Sequence, residues 1–206
     1  MAVVIDFNSL PFFSGCLSTL KEISKDSEHN EYMTDSDLHA FNFDEIKKKY
    51  VNAIPLSYKV ASSVDGFMEY YNQVFLIEFK NGGDKKHKSK IAQNIKDKVR
   101  DSLLIFADLA NMRISEIRQS FIFILVYDSQ KIDGYFSDLD HELQDSSSRE
   151  KLIHYAMGLG RSELIGFDLT RFLGLYFKEV HTYTKEEFER YLNKLTENQN
   201  HEQDSH

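Results

Sequence analysis

Seven consecutive apolar or aromatic residues, Phe121-Ile122-Phe123-Ile124-Leu125-Val126-Tyr127, constrain this chain more than any other feature. Alternation would mark a strand with one wet face, whereas an unbroken run marks a strand buried on both. Such a strand needs helices on each side of its sheet, so the chain reads as α/β, a mixed β-sheet flanked by α-helices. Ahead of it, Ile91, Ile95, Val99, Leu103, Phe106 and Ala110 recur every three or four residues. That is the stripe of a helix packed on a sheet, expected from about Lys88 to Asn111 after the break at Asn81-Gly82-Gly83-Asp84.

Before the break, Val64 to Glu69 and Val74 to Lys80 are β-prone runs separated by the polar stretch Tyr70-Tyr71-Asn72-Gln73, which reads as a hairpin. The register opposes Glu69 to Val74 and therefore Asp65 to Glu78. Directly opposed residues have Cβ atoms roughly 4.5–5.5 Å apart. The period of two puts Lys80 beside Glu78 and turns Phe79 away. Two carboxylates that close repel unless a cation sits between them. Oxygen ligands suit Mg²⁺, which binds through one or two carboxylates plus substrate phosphate. Glu-x-Lys alone is weak, since Glu45-Ile46-Lys47 repeats it in a polar helix. Glu78 and Lys80, however, interrupt an apolar strand, where charge is costly unless paired or liganded. The plain alternative is a solvated cross-strand salt bridge on an edge hairpin.

From Lys80 to Arg100 eight Lys/Arg stand against two acids, in a chain whose net charge is -8. A basic stretch that begins at the hairpin lysine is where a phosphate backbone would dock, through Lys85, Lys86, Lys88, Lys90, Lys96 and Arg100. The commoner fate of such a run is a solvated loop. The overall acidity opposes long-range attraction to nucleic acid.

A helix, a hairpin carrying Asp…Glu-x-Lys, an amphipathic helix and an apolar strand together resemble the PD-(D/E)XK nuclease superfamily, the restriction-endonuclease-like fold. The matching residues are Asp65, Glu78 and Lys80, and the resemblance covers about residues 40–127. Val64 stands where the motif name has Pro, a position many members vary, and the usual first strand is hard to place between Pro55 and Val60. The resemblance implies a Mg²⁺- or Mn²⁺-dependent nuclease hydrolysing phosphodiester bonds. Asp65 and Glu78 would hold the metal with the Phe79 backbone carbonyl, and Lys80 would position the attacking hydroxide. The metal would acidify bound water and offset phosphorane charge. Some members carry an extra metal-linked acid on the first core helix, a role open to Glu45. The plain alternative for Glu45 is a solvent-facing residue stabilised by the helix dipole. The implied partner is nucleic acid, DNA ahead of RNA. Other members have lost catalysis, so the competing expectation is an inactive interaction or inhibitor module with a protein partner or a second copy of itself.

The length of 206 residues and 41% hydrophobic content suit one domain. It is expected over residues 1–195, with a core at about 40–127 and a strand-helix extension at 149–195. Residues 196–206 lack a hydrophobic face and read as a disordered tail. No apolar run reaches the roughly 18 residues of a membrane span, and Met1 to Asp6 is no signal peptide. One cysteine, Cys16, fits a reducing cytoplasm and reads as a packing residue. A helix is expected from Ser14 to Lys25, a mobile loop over residues 24–37, and a helix from Asp44 to about Ala53. Asp128 to Ser148 reads as irregular, Arg149 to Gly158 as a helix, and Tyr176 to Tyr183 as a strand. Thr184 and Glu187 form a capping box for a helix to about Leu195. His141 and His154 match no metal template.

Overall fold

The computed structural model describes residues 6–55, 61–71, 73–83, 88–132 and 165–203. Its elements in chain order begin with β1 (Leu17–Thr19), α1 (Leu20–Ile23), β2 (Lys25–Asp26), β3 (Glu31–Tyr32), β4 (His39–Asn42) and α2 (Phe43–Ala53). There follow β5 (Gly66–Tyr70), β6 (Gln73–Lys80), α3 (Lys88–Ala110), α4 (Ile114–Ser120), β7 (Phe121–Tyr127), β8 (Glu179–Thr184) and a C-terminal helix, α5 (Lys185–Gln203). A six-stranded mixed sheet runs β1-β4-β5-β6-β7-β8, antiparallel as far as β6 and parallel from β6 to β8. β2 and β3 make a separate two-stranded ribbon.

The apolar run is β7, buried at every residue and paired in parallel with β6 on one side and β8 on the other. Its neighbour β6 shows how alternation sorts side chains to two cores. Val74 and Leu76 join the core built with α2 and α3, including Phe43, Ile46, Ile95, Val99 and Phe106. Phe75 and Ile77 join the opposite core, with Leu20 of α1 and Phe188 and Leu192 of α5. Parity therefore sends Glu78 and Lys80 toward α3, and Phe79 to the far side, where its ring meets Phe188 edge-on at 5.9 Å. The first core is rich in rings: Phe67 stacks on Phe106 at 4.7 Å and meets Phe7 at 4.9 Å. Such pairs add about 0.5–1.5 kcal/mol beyond the area they bury.

The hairpin register matches expectation, with Glu69 opposite Val74 and Gly66 opposite Ile77. The capping box also forms. Thr184 Oγ1 accepts the Glu187 amide at 3.2 Å, and Glu187 Oε2 accepts the Thr184 amide at 2.8 Å.

Four expectations need correction. Residues 14–25 are not one helix: Leu17–Thr19 pairs with β4, leaving a single helical turn, because strand pairing outweighs a weak local propensity. Residues 24–37 are not a mobile loop. The ribbon β2–β3 lies there, and the buried Ser24 hydroxyl accepts the Met33 and Thr34 amides at 3.1 and 3.3 Å. The polar residues that suggest a loop satisfy local backbone groups instead. The strand next to the hairpin is β4, which precedes α2. Finally, α5 continues past Leu195 to Gln203, so residues 196–203 are helical, not a disordered tail. Backbone hydrogen bonding carries a helix beyond the end of its apolar stripe. The short helix α4 carries no apolar stripe long enough to be expected from periodicity. The helix expected at Arg149 to Gly158, together with His141, His154, Lys85 and Lys86, lies outside the described residues.

Candidate functional site

Regular pairing of β5 with β6 stops at Gly66, yet Asp65 stays attached to β6 by its backbone and its side chain. Its amide donates to the Ile77 carbonyl at 3.1 Å, and its Oδ2 accepts the Phe79 amide at 2.6 Å. Glu78 projects from β6 between these two anchor points. Opposite them stands α3, where Lys98 comes two helical turns after Ile91 and so shares its sheet-facing side. Lys98 Nζ lies 2.7 Å from Glu78 Oε1 and 3.5 Å from Asp65 Oδ1. The two carboxylates thus converge on one cation. Glu78 is only 2% exposed, and its Oε2 has no hydrogen-bond partner among the described residues.

The electrostatics follow from burial. Desolvation, then the neighbouring Asp65 charge, pushes the Glu78 carboxyl well above the ordinary range, against the pull of Lys98. Burial also raises Asp65, partly offset by Lys98 and the Phe79 amide. Burial works against the charge on Lys98, but Glu78 and Asp65 outweigh it and hold the ammonium firmly protonated.

The helix acid near this pair is Asp44, not Glu45. Asn42 caps α2 by accepting the Glu45 amide at 3.1 Å, which sets Asp44 and Glu45 in the first turn. Asp44 Oδ1 accepts from the Ser63 hydroxyl at 2.5 Å and pairs with Lys47 at 3.1 Å. Burial would raise Asp44, but Ser63 and Lys47 together bring it below its usual value, and its charge acts on both Asp65 and Lys98. Glu45 points outward and pairs with Lys48 at 2.6 Å, both side chains about half exposed. The solvent-facing alternative describes it.

Asp65, Phe79 and Lys80 also line a cleft of about 590 Å³, together with Asn81-Gly82-Gly83, Lys131, and Asp26 and His29 of the β2–β3 ribbon. The ribbon is cross-braced. Asn81 Nδ2 donates to Asp26 at 2.7 Å and to Glu31 at 3.1 Å, while Lys131 Nζ donates to Asn81 Oδ1 at 3.2 Å and pairs with Glu31. His29 and Asn81 hold the Asp26 carboxyl far below the usual range. Gly83 packs close to the end of the Ile91 side chain. A Cβ there would come within 2.3 Å of Ile91 Cδ1 and within 3.8 Å of the Lys80 stem. Glu78 is not among the residues lining this cleft.

The expected phosphate contacts divide. Lys90 is exposed. Lys96 is only 8% exposed and pairs with Asp168, bracing α3 against the C-terminal segment, so its ammonium is not offered to a backbone. Arg100 lies over the Phe172 ring at 5.8 Å and reaches Asp97 at 3.4 Å. Lys85 and Lys86 fall outside the described residues, as does the side chain of Lys88. The residue that sequence reasoning missed is Lys98, which it counted only as one charge in the basic stretch. Its signal was available: a lysine in phase with Ile91 and Ile95 faces the sheet and must meet an acid there.

Two carboxylates, one with an unclaimed buried oxygen, form a donor set suited to a hard divalent cation completed by water and phosphate oxygens. Among the described residues no group of three His, Cys, Asp or Glu is gathered to hold a metal ion. No described helix is long and apolar enough to cross a membrane. Comparison with family models, curated proteins and solved structures finds no match for this chain.

Proposed function

We propose that the chain is a Mg²⁺- or Mn²⁺-dependent nuclease with a restriction-endonuclease-like core. The observation that carries this reading is the convergence of Asp65 and Glu78 on one cation position, with Glu78 Oε2 buried and unpartnered. A buried polar atom without a partner costs about 1–3 kcal/mol and calls for an explanation. A divalent ion supplies one. The β4-β5-β6 meander, α3 and the parallel β7 support the core. The order departs from expectation in that the strand beside the hairpin comes before α2.

In this reading Asp65 and Glu78 hold the ion, with the Phe79 carbonyl as a further donor, and the Phe79 amide fixes the Asp65 carboxylate in orientation. The ion, when bound, makes water more acidic and offsets charge on the phosphoryl oxygens. Lys80, on the Glu78 side of the sheet and at the cleft, orients the attacking oxygen and offsets negative charge. Lys90, with Lys85, Lys86 and Lys88, receives the backbone of a DNA or RNA strand. The test is a Mg²⁺ or Mn²⁺ nuclease assay on mixed DNA and RNA substrates. Cleavage by wild-type protein that disappears in Asp65→Ala is expected, and intact substrate with both metals would sink the reading.

One observation favours a second reading, an inactive interaction module of the same fold. Lys98 already fills the space between the carboxylates, and Glu78 is sealed from the cleft. The net charge of -8 favours a basic protein partner over nucleic acid.

A further inference from the structure

We infer that Lys98 is the resident cation of the Asp65–Glu78 seat, and that a divalent ion enters only as the Lys98 ammonium withdraws. The inference rests on the metal-binding reading and concerns what guards that site. Lys98 Nζ contacts Glu78 Oε1 at 2.7 Å and Asp65 Oδ1 at 3.5 Å, the position an ion bridging the two acids would take. An ammonium and a divalent ion repel and compete for the same lone pairs, so the two do not share it. Yet Lys98 leaves Glu78 Oε2 unclaimed, so it is an incomplete partner for the buried acid.

The means of withdrawal is built into the helix. Ile95, Val99 and Ser102 are buried and fix the backbone of α3. The Lys98 side chain is about one third exposed, so its flexible stem reaches solvent by rotamer change without moving the helix. While Lys98 is in place, its single positive charge offsets one of the two buried acids, so the metal-free protein carries less uncompensated charge. Metal affinity is then reduced by the fraction of molecules in which the seat is open.

Titration calorimetry with Mn²⁺ on the full chain tests this. Lys98→Gln removes the charge and leaves a polar side chain one bond shorter, and should bind Mn²⁺ at least roughly tenfold more tightly than wild type. Lys98→Arg keeps the charge in a fork that grips carboxylate better, and should bind more weakly than wild type. If Lys98→Gln folds only with metal, Mn²⁺-dependent recovery of its circular-dichroism melt supports the inference, and the arginine variant supplies the affinity comparison. Wild-type binding that Lys98→Gln leaves unchanged or weakens overturns the inference while leaving the metal site standing. Arginine binding as tight as wild type likewise overturns it. No Mn²⁺ binding by any of the three proteins overturns both the inference and the metal-dependent reading.

Discussion

The Asp65 carboxylate accepts the Phe79 amide at 2.6 Å, joining the residue just before β5 to the strand that carries Glu78. The bond spends one oxygen on the fold and leaves the other facing Lys98. Asp65 is thus both a clasp across the open end of the hairpin and one half of the acidic pair.

Replacing this residue should separate the two roles. Asp65→Asn keeps an oxygen for the Phe79 amide, so unfolding stability should stay within about 1 kcal/mol of wild type. Mn²⁺ affinity should nevertheless fall at least tenfold, since a neutral amide is a poor ligand for a hard cation. Urea denaturation and calorimetry on the same preparation check both. Equal Mn²⁺ affinity would remove Asp65 from the ligand set.

Glu78 gives a pH signature with a definite sign. Its folded carboxyl titrates well above the ordinary 4.5 because of burial, so the folded state keeps the proton to higher pH than the unfolded chain. That contribution to stability is fully present below the ordinary glutamate range and is lost as pH rises through the raised value. Glu78→Gln has no such loss. Without metal, the stability of wild type relative to Glu78→Gln should therefore decline from about pH 4.5 upward. Urea midpoints across that range report it, and a difference that stays flat would mean Glu78 is ionised beside Lys98 throughout.

The lysines of the basic stretch should behave in two ways. Replacing Lys85, Lys86, Lys88 and Lys90 with Gln should flatten the plot of log nucleic-acid affinity against log salt by roughly three units, at about 0.7–0.9 per lost contact. Lys96→Gln should leave the slope unchanged and cost no more than about 1 kcal/mol of stability, because the Asp168 side chain is 64% exposed and is solvated once its partner is lost. Fluorescence polarisation at several salt concentrations, with parallel melts, separates the groups. A lowered slope in Lys96→Gln would put its ammonium on the phosphate surface.

Gly83→Ala should cost up to about 1 kcal/mol, since the new methyl meets Ile91 Cδ1 at 2.3 Å and that terminal methyl must turn away. Pairing Gly83→Ala with Ile91→Val, which removes the offending methyl, should recover much of the loss. No recovery would place the strain in the backbone instead.

Much of the frame was legible because it rests on periodicity. The unbroken run at Phe121–Tyr127, the Ile91 stripe and the hairpin alternation each report which faces are buried, and the structure has these elements within a few residues of expectation. The register from Gly66–Ile77 to Glu69–Val74 followed from turn length and a period of two, whereas Asp65 lies just outside the paired strand. Where reading failed, polar composition was taken for disorder. Ser24, Asp26 and Glu31 look like loop residues, yet Ser24 closes the turn into Thr34, and Asp26 and Glu31 brace the ribbon against Asn81 and Lys131.

By itself, then, the sequence determined the α/β class, the central strand, and the face of the hairpin on which Glu78 and Lys80 lie. All three depend on repeats spanning a few residues. Only tertiary structure decided which cation sits between the acids, that Asp44 rather than Glu45 is the helix acid near them, and that Lys96 is a brace. Each of those depends on the rotation of a helix about its axis and its height over the sheet. Contacts 19 to 72 residues apart in the chain fix these, and no local pattern encodes them.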